Sequence, residues 1–173
     1  MKKEEIYTID DIYALPDGER AELLDGQIYD MTPPSWTHQR ISGKLHQIIA
    51  NYIDGKNGTC QVLAAPFAVF LNDETDYVEP DISVICDRSK LDEKGCHGAP
   101  DWIIEIVSSS SRQMDYYKKL FKYRTAGVRE YWVVDPEKEF VTVHNFEKDS
   151  MDEYSFGFDI SVGIFEEFFI NIQ

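Results

Sequence analysis

Two acidic residues lie inside apolar, strand-like segments of the sequence, and their surroundings make them the first candidates for chemistry. Asp81 belongs to the segment YVEPDISVIC, and Glu105 belongs to DWIIEIV. An ionised carboxylate in such surroundings is costly unless a cation or several hydrogen bonds compensate its charge. Adjacent strands would place both carboxylates on one face of a sheet, because side chains alternate along a strand. Hard oxygen ligands arranged in this way suit a magnesium ion.

A structural role is the ordinary interpretation of either acid taken alone, since a carboxylate in a strand can form a local ion pair or point to water at the strand end. The segment after Glu105 weakens that interpretation, because it predicts a helix that carries Asp115, Lys118 and Lys119. A metal ion with a lysine beside it is a set of groups that can catalyse phosphoryl transfer.

The elements that would position these residues follow from local sequence patterns. Thr8 can cap a short helix from Ile9 to Leu15. The segment RAELLDGQIYDM predicts a β-hairpin with Glu22 on its first arm, because Asp-Gly is the preferred type I′ turn. Apolar residues at helical spacing predict an amphipathic helix from Trp36 to Ile53, with His38 in its first turn.

The middle of the chain predicts three strands and a helix. Cys60 to Leu71 and Tyr77 to Cys86 are rich in β-branched and aromatic residues, and the polar turn NDETD between them indicates a hairpin. Residues 101–107 form a near-continuous apolar run, which is typical of a central strand covered on both faces. A helix follows from about Arg112 to Ala126, and Gly127 suits the left-handed position that ends it.

The last part of the chain completes a mixed sheet. Strands are predicted at Glu130 to Val134 and at Phe140 to Phe146, and the tail SVGIFEEFFINI is predicted to close the sheet edge. Asp135 in the intervening turn is most simply a turn former. The helix before these strands is expected to bury a stripe formed by Met114, Tyr117, Leu120 and Phe121. The fold class is therefore α/β, an α+β mixed sheet flanked by helices, in a single domain over residues 1–173.

The composition predicts one ordinary domain in the cytoplasm. Hydrophobic residues make up 43% of the 173 residues, enough to build a core without disulfides. Cys60, Cys86 and Cys96 have no paired short spacing, so they predict neither a disulfide framework nor a four-ligand zinc site. The N-terminal MKKEEIYTID lacks the apolar stretch of a secretory signal, and no segment is apolar enough to span a bilayer.

The formal net charge of −15 bears on the choice of partner. Phosphate backbones are bound mainly through Lys and Arg, so tight non-specific DNA binding is not expected. A divalent cation, a locally basic groove or a basic partner would be needed to reconcile this charge with a nucleic-acid substrate. Solubility alone is an equally good explanation of the acidity.

Four segments between residues 20 and 136 carry a resemblance to a known family. They are AELLDGQIYDM, HQRISGKLHQ, VEPDISV and PDWIIEIVSSSSRQMDYYKKLFKYRTAGVREYWVVDP, of which the last is the most specific. Together they resemble the PD-(D/E)XK nuclease superfamily, and within it the bacterial endonuclease-like group called the Uma-two family, a domain of unknown function. The resemblance implies a restriction endonuclease-like core with an N-terminal β-hairpin.

The resemblance also implies roles for the two acids and for a lysine. Asp81 supplies the first acid of the motif and Glu105 the second, and both would bind the metal ion. The superfamily lysine normally lies two residues after the second acid, where this chain has Val107. In this group the lysine is on the following helix, where Lys119 matches it and Lys118 is the alternative if the register differs by one.

The remaining candidates have structural alternatives of their own. Periodicity alone favours an ordinary ion pair between Asp115 and Lys119 on a solvated helix face, and the resemblance reverses that preference. Glu22 matches a recurring acidic position and would complete the metal shell, with an exposed hairpin residue as the alternative. His38 also matches, although a histidine at a helix start is more often structural. Asp115 and Tyr123 are the further supporting candidates.

Metal-assisted hydrolysis of DNA is the function that these residues and the resemblance favour, with Mg²⁺ as the cofactor and Mn²⁺ as a substitute. A homodimer is expected, because cleavage of both strands of a duplex suits a twofold pair of sites. The rival hypothesis is a non-catalytic protein that keeps the fold as a binding or assembly module, since a fold does not establish an activity. A zinc enzyme is disfavoured, because the four histidines lack the short spacing of zinc ligands.

Overall fold

The longest apolar segments of the sequence form strands of two mixed six-stranded β-sheets in the computed structural model, which describes residues 5–173. Residues 1–4 lie outside the described residues. They begin MKKEEIYTID, which the sequence predicts not to be a secretory signal. A 3₁₀-helical turn at Arg88–Lys90 and a π-helical turn at Met114–Lys118 accompany the regular elements. In chain order these are α1 (Ile9–Tyr13), β1 (Ala21–Leu24), β2 (Gln27–Asp30), α2 (Trp36–Gly55), β3 (Gln61–Ala64), β4 (Val69–Phe70), β5 (Tyr77–Val78), β6 (Ile82–Ile85), β7 (Leu91–Asp92), β8 (Gly95–His97), β9 (Trp102–Ile106), α3 (Lys119–Ala126), β10 (Glu130–Asp135), β11 (Phe140–Asn145), β12 (Ser150–Ser155), β13 (Asp159–Ser161) and β14 (Phe169–Asn171).

Strand β9 lies inside the sheet that we call the core sheet, whose strand order is β12-β11-β10-β9-β6-β3. It runs parallel to β10 and antiparallel to β6, and each of its residues is buried, as predicted for a central strand. Trp102 and Ile104 pack in a cluster with α2, whereas Ile103 and Val107 pack in a second cluster on the other face. Glu105 therefore lies on the face that points away from α2.

The second sheet, with the order β2-β1-β5-β4-β8-β7, contains the predicted Asp-Gly hairpin. Strands β1 and β2 pair in a register that places Glu22 opposite Tyr29. Asp25 and Gly26 have φ angles of 52° and 69°, the left-handed values that a type I′ turn requires at both central positions. The hairpin prediction is confirmed, and it fixes Glu22 on an inner strand of this sheet.

The hairpin predicted from Cys60 to Cys86 is divided between the two sheets. Strand β3 pairs with β6 in the core sheet, whereas β4 pairs with β5 in the second sheet. Pro66 and Pro80 lie at the two divisions, and a proline cannot donate a hydrogen bond to a strand ladder. Asp81 consequently lies where the chain passes from one sheet to the other.

Helix α2 confirms the predicted amphipathic helix and extends it to Gly55. Ser35 caps its first turn, because its side chain accepts a hydrogen bond from the His38 N–H at 3.2 Å. The buried face of the helix packs against the core sheet through residues such as Ile41 and Leu45. Within residues 5–173, no helix is long and apolar enough to cross a membrane.

The predicted helix from Arg112 to Ala126 begins with the π-helical turn and ends at Gly127, whose φ of 99° confirms the left-handed cap. The prediction that Tyr117 and Phe121 are buried is wrong, since they are 74% and 68% exposed. The helix turns Asp115 and Lys119 inward instead. Position 117 is two residues from each of them, which places it on the opposite side of the helix.

The tail does not close the edge of the core sheet, as the sequence analysis had predicted. Strands β13 and β14 pair only with each other, and they cover one face of the core through residues such as Ile160 and Ile170. The edge is formed by β12, which pairs with β11. Its residues are mostly exposed and polar, so it lacks the apolar alternation by which strands are recognised.

The prediction of no disulfide is wrong for one pair of cysteines. Cys60 and Cys86 form a disulfide, while Cys96 is free and buried. The pair directly flanks β3 and β6, whose register pairs Gln61 with Ile85 and so brings the cysteines opposite each other. Their separation of 26 residues gives no short spacing that would reveal this pairing. The cysteine pattern therefore no longer supports a reducing compartment.

Replacing Gly95 with alanine should destabilise the second sheet. Gly95 in β8 has a φ of 148°, and a β-carbon there would lie 2.3 Å from the carbonyl oxygen of Ala68. We expect Gly95→Ala to lower the free energy of unfolding by about 2–4 kcal/mol, through backbone strain and overpacking, in urea denaturation.

Gly43→Ala is the matched control, because Gly43 lies on the exposed face of α2 and a β-carbon there would meet no atom within 4 Å. This change should raise the free energy of unfolding by roughly 0.5–1 kcal/mol through helix propensity. Equal stability of the two variants would contradict the close approach of β8 to Ala68.

Candidate active site

Asp81 and Glu105 come together between adjacent strands of the core sheet. Glu105 lies in the middle of β9, and Asp81 immediately precedes β6. The Asp81 N–H donates to Glu105 Oε2 at 3.4 Å, and the Ile106 N–H donates to Asp81 Oδ2 at 2.7 Å. The main chain of each strand thus holds the carboxylate of the other, as the sequence predicted for adjacent strands.

Lys119 extends from α3 into the space between these strands and the second sheet. Its Nζ lies 2.9 Å from Glu105 Oε1 and 2.8 Å from Glu22 Oε2, and the side chain is only 6% exposed. Asp115 Oδ1, one helical turn earlier, is 3.5 Å from the same nitrogen. We call Glu22, Asp81, Glu105 and Asp115 the carboxylate cluster.

The two candidate lysines point in different directions, as neighbouring positions of a helix do. Lys119 is buried in the carboxylate cluster. Lys118 donates instead to the hydroxyl of Tyr29 and lies over its ring. Lys119 therefore makes the contacts expected of the site lysine.

Glu22 is buried and does not take the exposed position that was its alternative. Besides Lys119, its carboxylate accepts a hydrogen bond from the Glu79 N–H at 3.0 Å. Tyr29 lies opposite Glu22 in the hairpin register and contacts Lys118, a role that the sequence analysis missed. The register of the Asp-Gly hairpin was the signal that could have found it, since paired residues share a face.

Two further side chains orient the acids. The Tyr123 hydroxyl donates to Glu105 Oε1 at 2.7 Å, and Tyr123 is fully buried. His38 Nε2 lies 3.1 Å from Asp81 Oδ2, so the first turn of α2 reaches the site. Burial alone would lower the pKa of His38, but the Asp81 carboxylate outweighs this effect and the pKa lies above its usual value.

The carboxylate cluster carries more negative charge than its neighbours neutralise. Burial raises the pKa of Glu105 well above its usual value, although the Lys119 ammonium opposes this shift. Burial likewise raises the pKa of Asp115 to about 6. Burial by itself would lower the pKa of Lys119, but Glu105 and Glu22 raise it well above the usual value, so the ammonium stays charged.

The cluster fits a divalent cation in its donor chemistry and in its charge. All four acids supply hard oxygen atoms, and Asp115 Oδ1 is buried without a hydrogen-bond partner. Within residues 5–173, however, no three His, Cys, Asp or Glu side chains stand at the spacing that a metal ion requires. Lys119 Nζ lies among the carboxylates instead. A cation therefore has ligands available here, provided that side chains adjust around Lys119.

Three comparisons with known proteins bear on this site. A family model described as "Putative restriction endonuclease" and called Uma2 matches residues 9–168. An uncharacterized protein of Synechocystis sp. is 31% identical over 97 residues, which cover 56% of this chain and only half of that protein's length. A crystal structure from Anabaena variabilis, described as a putative nuclease of the DUF820 group, superimposes with a TM-score of 0.77 at 23% identity, over 95% of this chain and 94% of that one. The mixed α/β, restriction endonuclease-like fold implied by the resemblance is confirmed.

Lys119→Met should destabilise the protein much more than Lys118→Met. Without the ammonium, Glu22 and Glu105 would be buried without a counter-charge, so we expect a loss of about 3–5 kcal/mol in the free energy of unfolding. Lys118 is only half-buried, so Lys118→Met should lower the free energy of unfolding by less than about 1 kcal/mol, as expected for an exposed charge contact. Urea denaturation of both variants measures the difference.

The deficit of Lys119→Met should also depend on pH. Burial raises the pKa of Glu105 in the folded state above its value in the unfolded chain, and losing Lys119 strengthens that effect. An acid with a raised folded pKa binds its proton more tightly in the folded state, so the deficit should shrink as pH falls and grow as pH rises. A deficit that is unchanged between pH 5.5 and pH 8 would argue against a buried, unpaired carboxylate.

Proposed function

The chain belongs to the Uma2 family, described as "Putative restriction endonuclease", and we propose that it hydrolyses phosphodiester bonds of DNA with a divalent metal ion, Mg²⁺ or Mn²⁺. Asp81, Glu105 and Lys119 are the proposed catalytic residues. Glu22 joins the two acids in holding the metal ion, while His38, Asp115 and Tyr123 support them.

The position of Lys119 is the observation that most supports this proposal. Val107 occupies the place two residues after Glu105 and packs in the apolar cluster beside β9, so the strand itself offers no lysine. The helix supplies one instead, with Nζ at 2.9 Å from Glu105. The combination of two acids and a lysine is thus restored in space although the sequence spacing is broken.

Each group has a distinct task in the proposed reaction. Asp81, Glu105 and Glu22 would hold the metal ion, which would supply polarisation of the scissile phosphate and a lowered pKa for a water molecule. Lys119 orients the attacking water and stabilises the charge that develops on the phosphate. His38 and Tyr123 hold the carboxylates of Asp81 and Glu105 in place, and fixed donors of this kind reduce the reorganisation that the reaction needs.

The alternative function is a non-catalytic binding or assembly module. Lys119 already neutralises Glu22 and Glu105 together, which is also the arrangement of a purely structural buried ion pair. Metal binding separates the two functions, because a structural cluster has no need of a divalent cation.

Metal binding and DNA nicking should be lost together when the acids are changed. We expect Mg²⁺ or Mn²⁺ to bind the wild type in calorimetry, and Asp81→Asn and Glu105→Gln to abolish binding, because each removes an anionic ligand. Metal-dependent nicking of a supercoiled plasmid should fall by roughly a hundredfold or more in both variants and in Lys119→Met.

Lys118→Met and Asp92→Asn are the controls, since Asp92 is an exposed acid whose partner is His97 in another part of the fold. Circular dichroism at the assay temperature must show each variant folded. Metal-dependent nicking that persists in Lys119→Met would remove this lysine from the catalytic residues. No metal binding by the wild type at millimolar concentrations would leave the module as the function.

A homodimer is a further part of the proposal, because two sites related by a twofold axis can cut both strands of a duplex. Sedimentation equilibrium should then give twice the 20.0 kDa mass of the chain at assay concentrations. A monomer at those concentrations would remove this part while leaving single-strand nicking intact.

A further inference from the structure

Acidic residues are distributed unevenly along this chain. Asp and Glu together number 32 of 173 residues, yet residues 31–53 contain none, and no other stretch without an acid is as long. The same stretch contains Arg40 and Lys44. It forms most of α2 and the loop before it, so one helix of a strongly acidic protein carries a small positive charge.

The cations of α2 differ from those that are paired with carboxylates elsewhere in the protein. Lys122 on α3 and Arg129, just before β10, form salt bridges with carboxylates. Within residues 5–173, neither Arg40 nor Lys44 forms a salt bridge. Arg40 donates to the main-chain oxygen of Gln173 at 3.2 Å, and Lys44 donates to the side chain of Gln47 at 3.4 Å.

The exposed face of α2 also carries a large aromatic ring. Trp36 begins the helix and is 77% exposed, the highest exposure among the exposed large hydrophobic residues. The Arg40 guanidinium lies 5.7 Å from the centre of the Trp36 ring. Trp36, Arg40 and Lys44 are four residues apart, so they follow one another along the same side of the helix. We call this side the α2 track.

The α2 track borders a groove. The first turn of α2 lies beside the candidate active site, because His38 on the other side of that turn contacts Asp81. A cavity of about 600 Å³ opens farther along the helix, between Arg40 and Lys44 on one side and Ile172 and Gln173 on the other.

From these features we propose that the α2 track binds a single strand of nucleic acid, with one base stacked on Trp36 and phosphates beside Arg40 and Lys44. This inference rests on the proposed function. It extends it by specifying the surface that holds the substrate and the form of nucleic acid that is preferred. The positive charge of the track complements a phosphate backbone, while the remaining acidic surface repels it.

A single strand fits the track better than a duplex for two reasons. A protruding indole can stack on a base only where that base is not enclosed in a paired helix, and such stacking contributes affinity without any charge. Two unpaired cations are also too few to offset the repulsion between both strands of a duplex and a protein of net charge −15.

Anisotropy of a short fluorescein-labelled oligothymidylate, measured in EDTA so that metal-dependent cleavage cannot occur, tests the proposal. The wild type should bind this probe more tightly than a duplex of the same length. Trp36→Ala should weaken binding by about 10-fold or more, and Trp36→Phe should restore most of it because a phenyl ring still stacks.

Charge variants give an independent readout. Arg40→Gln and Lys44→Gln should each reduce the dependence of log Kd on log salt concentration by about 0.7, the value for one phosphate contact on a single strand. Phe158→Ala and Lys94→Gln are the matched controls, since Phe158 is 66% exposed and Lys94 is exposed, both outside α2. They should bind as the wild type does.

Intrinsic fluorescence locates the contact directly. Trp102 and Trp132 are fully buried, so a change in tryptophan emission when the oligonucleotide is added reports on Trp36. Emission should be quenched in the wild type and unchanged in Trp36→Phe.

Any one of three results would contradict binding at the α2 track. They are unaltered affinity in Trp36→Ala and in both charge variants, tighter binding of the duplex than of the single strand, and no detectable binding of the oligonucleotide. These outcomes are separate from the test of catalysis. Plasmid nicking that depends on Asp81 and Glu105 but not on α2 would keep the nuclease and reject the track. Oligonucleotide binding that depends on Trp36 without any nicking would do the reverse.

Discussion

Burial of the Lys119 ammonium among carboxylates is the interaction on which the arrangement of this protein depends. Lys119 comes from α3, Glu105 from the core sheet and Glu22 from the second sheet, so one nitrogen joins three parts of the chain that are distant in sequence. Removing these charges from water is expensive, and the attraction between them compensates only when the geometry is held closely. The hydrogen bonds from Tyr123 to Glu105 and from the Glu79 N–H to Glu22 supply that restraint. The two sheets and α3 therefore cannot shift relative to one another without exposing an unpaired buried charge.

The parts of this arrangement that could be predicted from the sequence are those governed by local patterns. Apolar runs placed Glu105 in a strand and Asp81 next to one, and Asp-Gly placed Glu22 on a hairpin, because these signals span only a few residues. Lys119 was different. Its spacing from Asp115 equally fits a solvated helix face, and only the resemblance to a family favoured the site. The strand pairing that joins Cys60 to Cys86 depends on register between distant segments, which no local pattern records. The burial of Tyr117 was wrongly predicted for a related reason. The contact of Lys119 with Glu105 in β9, rather than the apolar stripe, determines which side of the helix faces the core.

The net charge of the chain proved less informative than its distribution. A value of −15 argues against a nucleic-acid partner when the charge is treated as uniform. Fields at a protein surface are local, however, and they fall off within about 10 Å at moderate ionic strength. The acid-free first part of α2 can therefore attract phosphate although the protein as a whole repels it. General repulsion with local attraction also limits non-specific binding, because a nucleic acid then approaches by one route only.

The incomplete neutralisation of the carboxylate cluster connects stability to the proposed function. Four carboxylates face one ammonium and one imidazole, and burial, with a smaller contribution from the neighbouring carboxylates, raises the pKa values of Glu105 and Asp115. A second buried lysine would relieve the strain and make the fold more stable. It would also abolish the attraction for a divalent cation, because the negative charge that holds such an ion would already be satisfied. A site that must bind a metal ion has to leave part of its negative charge without a counter-charge. The protein loses some stability as a result, and the same uncompensated charge provides its affinity for the ion.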